Sequence, residues 1–304
     1  MKKHPSKKHH YLPRYYLRGF TNSGDGFFVY DKQGDKIFET SPDGAFFENN
    51  LNTVTFKKGD SSDFLEDLYA HIESQSWESL DNIRKSTSKS PIERLDKQNL
   101  FFFLLVLHWR LPGNRDFVEK LSEKAFLGNN EIDYFTLNSK SGKEVPRETI
   151  EAIKNSDGFK KSLKLLLPFA PFLKDKDWGA ELGNWRFLYT GDGASSYIVG
   201  DNPIVTKGDY DHDPVNCLKE FVFPVSGRIL LVNTDRPISS GTPPEFVIRF
   251  NIAIIERAQR FAACQDKKFL ESLVKMYVQF GKTGTIINGM FDILENIKVG
   301  ELPI

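Results

Sequence analysis

The chain has 304 residues, 41 basic against 41 acidic, with 39% hydrophobic and 27% charged side chains. A formal charge of zero excludes a protein that coats nucleic acid by bulk electrostatics, and 26 phenylalanines exclude a disordered tail. The length holds one large core or two ordinary ones, and nothing in it requires a disulfide or a metal to fold. Cys217 and Cys264 lie far apart and outside CxxC spacing, which suits a reducing compartment. The N-terminal lysines have no apolar stretch behind them, and the longest apolar run, LFFFLLVL at 100–107, falls far below the roughly 20 residues that span a bilayer. A cytoplasmic protein without a membrane partner is expected.

The chain opens on a cationic, aromatic block. Lys2, Lys3, Lys7, Lys8, Arg14 and Arg18 precede the first acid, Asp25, and HHYLPRYYLRGF (9–20) adds two histidines and three tyrosines. Pro13 pushes Leu12 toward an extended conformation, so the segment reads as an irregular start turning into a short helix over about 14–20. Ordinary termini fray, and so many aromatics imply instead a segment folded into the body and walling a site. GFFVYDKQGDKIFET then reads as two short strands around a turn, and SPDGAFFENNLNTVTF as a turn and another extended piece.

From Asp63 the period becomes helical. Asp63 and Glu66 form a capping-box pattern, and Leu65, Leu68, Ile72, Leu80 and Ile83 carry a helix to about Lys85. A second helix runs from about Ile92 to Leu111, apolar nearly all round over 100–107 and therefore central, until Pro112 and Gly113 stop it. Further helices are predicted near 114–127, 146–155 and 158–173, the last broken by Pro168 and Pro171. NWRFLYT, SSYIVG, EFVFPV and RILLVNT read as strands; 245–264 returns to helical spacing, another helix follows near 267–280, and KTGTIING at 282–289 reads as a turn. This order gives an α+β class: a small N-terminal β element, a central helical bundle, and a C-terminal antiparallel sheet with flanking helices. It is one domain over 1–304 with sections at 1–60, 61–175 and 176–304.

Three further places carry chemistry. HWRLPGNR at 108–115 brings His108 and Arg110 out of the most apolar helix, where a guanidinium seeks a carboxylate or a phosphate. GDNPIV at 200–205 leaves Asp201 at a strand end, either at the rim of a site or capping its own backbone in an Asx-turn. Glu48, Glu66 and Glu73 supply carboxylates that either meet around a divalent ion or lie on solvated faces. HHYLPRYYLRGF, FFVYDKQGDKIFETSP and FFENNLNT, with HWRLPGNR, NWRFLYT and the DNP of GDNPIV, resemble a bacterial family still labelled a domain of unknown function, which opens on a similar HHYxPxxYLxxF motif. The likeness covers most of the chain and implies that these segments belong together, without implying a reaction.

The leading expectation is a metal-dependent phosphodiester hydrolase, nuclease-like, acting on nucleic acid or a nucleotide. Glu48, Glu66 and Asp201 would hold Mg or Mn, which lowers the pKa of a bound water. His9 or His10 would serve as general acid or base, and Arg14 and Arg110 would neutralise phosphoryl charge. Tyr11, Tyr15, Arg18 and Asn202 would contact the substrate. The alternative is a non-catalytic nucleic-acid-binding or protein-interaction module of a bacterial defence or regulatory system, with tyrosines stacking on bases. GxSxG, HExxH, P-loop and dinucleotide fingerprints are absent.

Overall fold

The computed structural model describes residues 8–55, 61–124, 148, 152, 156–173, 178–190, 197–208, 212–234, 243–281 and 285–296. The N-terminal part holds β1 (Lys8–His10), α1 (Arg14–Leu17) with a 3-10 turn (Arg18–Phe20), β2 (Phe27–Asp31), β3 (Lys36–Thr40), β4 (Phe47–Asn49), β5 (Val54–Thr55) and β6 (Ser61–Ser62). Next come α2 (Phe64–Lys85), α3 (Arg94–Arg110), α4 (Arg115–Lys124), α5 (Asp157–Leu166), a 3-10 stretch (Leu167–Leu173) and α6 (Trp178–Gly183). The rest comprises β7 (Trp185–Tyr189), β8 (Val199–Gly200), β9 (Val205–Thr206), β10 (Phe221–Ser226), β11 (Ile229–Asn233), α7 (Pro244–Arg257), β12 (Phe261–Cys264), α8 (Lys267–Phe280) and α9 (Ile286–Asn296). The architecture is α+β, as expected.

Two four-stranded antiparallel sheets form the middle of the molecule, in the orders β7-β11-β10-β9 and β3-β2-β12-β8. Alternate residues of their strands feed two separate cores. Phe221, Phe223, Val225, Ile229 and Leu231 pack with the N-terminal motif and α3, whereas Val222, Leu230 and Val232 pack with α7, α8 and α9. Burial on both faces explains why FVFPVS and ILLVN are near-continuous apolar runs rather than alternating ones. α3 is covered nearly all round, as its composition requires.

Several elements depart from the sequence reading. FAAC, expected to continue a helix, is the strand β12, held between β2 and β8. Helix α9 begins inside the stretch read as a turn, and residues 282–284 lie outside the described ones. The capping-box side chain does not form: the Asp63 carboxylate accepts from Thr53 Oγ1 at 2.8 Å instead of capping α2. The helix expected at 146–155 lies almost wholly outside the described residues, as does the end of that expected at 114–127. β12 joins the hairpin β2–β3 to the last third of the chain, so sections 1–60 and 176–304 share one sheet. Among the described residues no helix is long and apolar enough to cross a membrane.

Candidate functional site

The N-terminal motif is built into the larger core. Tyr11, Leu12, Tyr16, Leu17 and Phe20 are buried, and Tyr16 stacks on Phe223 with centroids 5.3 Å apart while its hydroxyl donates to the Pro224 carbonyl. Arg84 of α2 donates to the carbonyls of Tyr15, Tyr16 and Val225, tying α1 to β10. Arg110 is equally structural: buried, lying over the Tyr69 ring, it donates to Glu73 and to the His10 carbonyl. It therefore meets a carboxylate of its own chain rather than a phosphoryl group.

The other expected catalytic and substrate residues are placed as follows. His9 is fully buried opposite Glu48, and its Nδ1 accepts the Asn52 backbone N–H at 2.9 Å. That bond occupies the Nδ1 lone pair, and Nε2 points toward Asp63 at 3.8 Å. His10 is partly exposed, with Nε2 3.1 Å from the Pro42 carbonyl; burial and then Arg14 hold its pKa below the usual value. Arg14 pairs with Asp43 at the surface, and Arg18 is exposed nearby. Tyr11 and Tyr15 do not form a stacking wall: Tyr11 is core, and the Tyr15 ring packs against Phe103 with its hydroxyl buried and without a hydrogen-bond partner among the described residues.

The expected metal triad does not assemble. Glu48 is bound through both oxygens by Arg115, Glu66 accepts from Asn52 Nδ2 at 2.7 Å, and Asp201 accepts three backbone N–H groups, those of Gln259, Arg260 and Phe261. Among the described residues no group of three His, Cys, Asp or Glu side chains is arranged to hold a metal ion. Asp201 thus acts as a backbone cap, at 2% exposure; burial raises its pKa against the lowering effect of those three bonds.

Distant motifs nevertheless converge. Gly113 of HWRLPGNR faces Asn202 and Gln259, each 3.6 Å from where a Cβ would sit, and Tyr11 lies in the electrostatic field of Asp201, Glu48 and Arg260. Beside this junction a cleft of about 590 Å³ opens, with Phe38, Phe47 and Phe261 as apolar lining and Asp31, Lys36, Glu48 and Arg260 as charged lining. Lys8 lies over the Phe47 ring at 4.5 Å and Arg260 over the Phe261 ring at 4.6 Å. Between the lining residues Ala45 and Phe47, Phe46 is held at φ 57°, a left-handed conformation that costs a bulky residue about 1–3 kcal/mol and that collects at ligand sites. It sends Phe46 into the core, against Phe27 and Phe261, while Phe47 lines the opening.

The ion pair of Arg260 with Asp31, at 3.1 Å, organises one wall, and its hydrogen bonds hold the Asp31 carboxyl below the usual carboxylate range. A carboxyl whose pKa falls on folding stabilises the protein above its unfolded pKa, near 3.9, and loses that contribution as pH falls through the lower folded value. Unfolding free energy measured between about pH 5 and 2 should therefore drop less steeply in Asp31→Asn than in the parent. Identical slopes would detach Asp31 from the acid transition.

Sequence reasoning missed Lys36, Phe38, Arg260 and Phe261. Period-two alternation in KIFET does put Lys36 and Phe38 on one face of β3, but only the β12 pairing brings Phe261 next to Phe46. A family model described as protein of unknown function (DUF4238) matches residues 8–268. No curated protein and no solved structure matches the chain.

Proposed function

Because this chain belongs to the DUF4238 family, whose description assigns no activity, we propose its role from the cleft itself: it binds a nucleotide or single-stranded nucleic acid there without turnover. The observation that carries this reading is the pairing of aromatic faces with cations in one opening of nucleotide size. Bases of any identity stack on such rings, and a guanidinium over a ring adds a second flat surface. Charge favours the same ligand. Asp31 and Glu48 are answered by Arg260 and Arg115, leaving Lys36, which makes no ion pair among the described residues. Hydrolysis loses its support because the three carboxylates expected to bind a metal have other partners.

Fluorescence anisotropy with labelled single-stranded DNA and RNA, and competition by nucleotides, tests the reading. Phe47→Ala should weaken binding by roughly tenfold, the value of one stacked base, and Lys36→Gln should flatten the dependence of affinity on salt. No binding at low salt, or unchanged binding by Phe47→Ala, would sink it. Magnesium-dependent cleavage of the same oligonucleotides would return the hydrolase to first place.

A further inference from the structure

A cationic cluster adjoins the cleft across Glu48. Arg115, at the start of α4, donates through Nη2 to both Glu48 oxygens, at 2.8 and 2.7 Å, with each side chain 37% exposed. Lys161 of α5 donates to the Thr53 carbonyl at 2.7 Å. One turn along α5, Lys164 is partly buried, near Arg115 and Glu119 of α4, Glu48 of β4 and its own neighbour Lys161. Among the described residues its ammonium makes no hydrogen bond and no ion pair. Burial first and Arg115 second bring its pKa down to about 8.

A lysine ammonium held beside two other cations and without an acceptor from the protein is disfavoured by their repulsion. An oxyanion offsets that repulsion, because it gives a lysine and an arginine charge-assisted bonds at once. We infer that Arg115, Lys161 and Lys164 form a subsite for a phosphate group next to the cleft, with Glu48 holding Arg115 in place until the anion arrives. The inference extends the cleft reading by naming where a second phosphate goes, either along a polyphosphate tail or at the next residue of a strand. Its existence as an anion site does not require that reading.

Calorimetric titration of the full chain with inorganic pyrophosphate at pH 7 is the direct test. Binding should weaken by roughly tenfold in Lys164→Met and be largely kept in Lys164→Arg, which preserves charge and donors. Carbon-13 NMR of the lysine side chains should show the Lys164 midpoint moving up by about a unit on saturation with sulfate, since a nearby opposite charge favours the ammonium. Phe47→Ala should bind pyrophosphate like the parent, so the subsite can stand even if oligonucleotides fail to bind the cleft. Absent pyrophosphate binding, or equal binding by Lys164→Met, overturns the inference. Given a pyrophosphate loss in Lys164→Met, a further loss greater for a nucleoside triphosphate than for the monophosphate identifies a polyphosphate tail, and one seen with oligonucleotides but with neither nucleotide identifies a strand; both support the site.

Discussion

Replacing Arg84 with methionine should lower the unfolding free energy by about 3 kcal/mol or more, seen as a shifted urea midpoint at unchanged slope. The guanidinium donates to three main-chain carbonyls, and each hydrogen bond from a charged group is worth about 1.5–3 kcal/mol before the desolvation of the arginine is subtracted. The side chain also dictates its neighbour. A Cβ at Gly19 would stand 2.4 Å from Arg84 Nη2, so the glycine of YLRGF is there for space and not for an unusual backbone angle. Gly19→Ala should therefore be strongly destabilising in the parent and nearly silent in Arg84→Met, a coupling that a double-mutant cycle measures. Additive losses would mean that the clamp and the glycine act separately.

Asp201→Ala should cost about 3 kcal/mol or more, because it leaves the N–H groups of Gln259, Arg260 and Phe261 without their acceptor. The Asp201 amide donates in turn to the Phe261 carbonyl, so this one residue fastens the start of β12 from both directions. Asp201→Asn should recover part of the loss. Its carbonyl can serve Arg260 and Phe261, but its NH2 then faces the Gln259 N–H, donor against donor. Hydrogen exchange reads the effect locally: amides 259–261 should lose protection in Asp201→Ala while those of β10 and β11 keep theirs. Retained protection at 259–261 would mean that the turn holds itself. Oligonucleotide binding should fall with it, since Arg260 and Phe261 form one wall of the cleft.

Local physics made much of this fold legible. The α2 and α3 limits, the β2–β3 hairpin and the break at Pro168 follow from periodicity and from prolines, which act over a few residues. The last four residues of 245–264 were not legible, because Phe261–Cys264 is a strand only by virtue of β2 and β8, more than sixty residues away in either case. The surroundings of the site residues were hidden for a related reason. His9, Arg110 and Asp201 are polar groups in apolar surroundings, and sequence alone does not say whether the partner that burial demands is a ligand or the chain's own backbone. Here the partners are Asn52, Glu73 with the His10 carbonyl, and three amides. The cleft's aromatics look like ordinary core residues on paper, and only tertiary pairing leaves Phe38 and Phe47 partly exposed at an opening.

The order β3-β2-β12-β8 bears on how the protein is made. The hairpin emerges from the ribosome long before its central partner: at about 5–20 residues per second, strand 261–264 trails residue 40 by roughly ten to forty seconds. Throughout that interval β2 offers an unpaired apolar edge to whatever lies nearby, including other nascent copies. Chains cut short before 261 should accumulate as aggregates rather than as a stable N-terminal fragment, and slowing synthesis should hurt yield unless a chaperone shields the waiting edge.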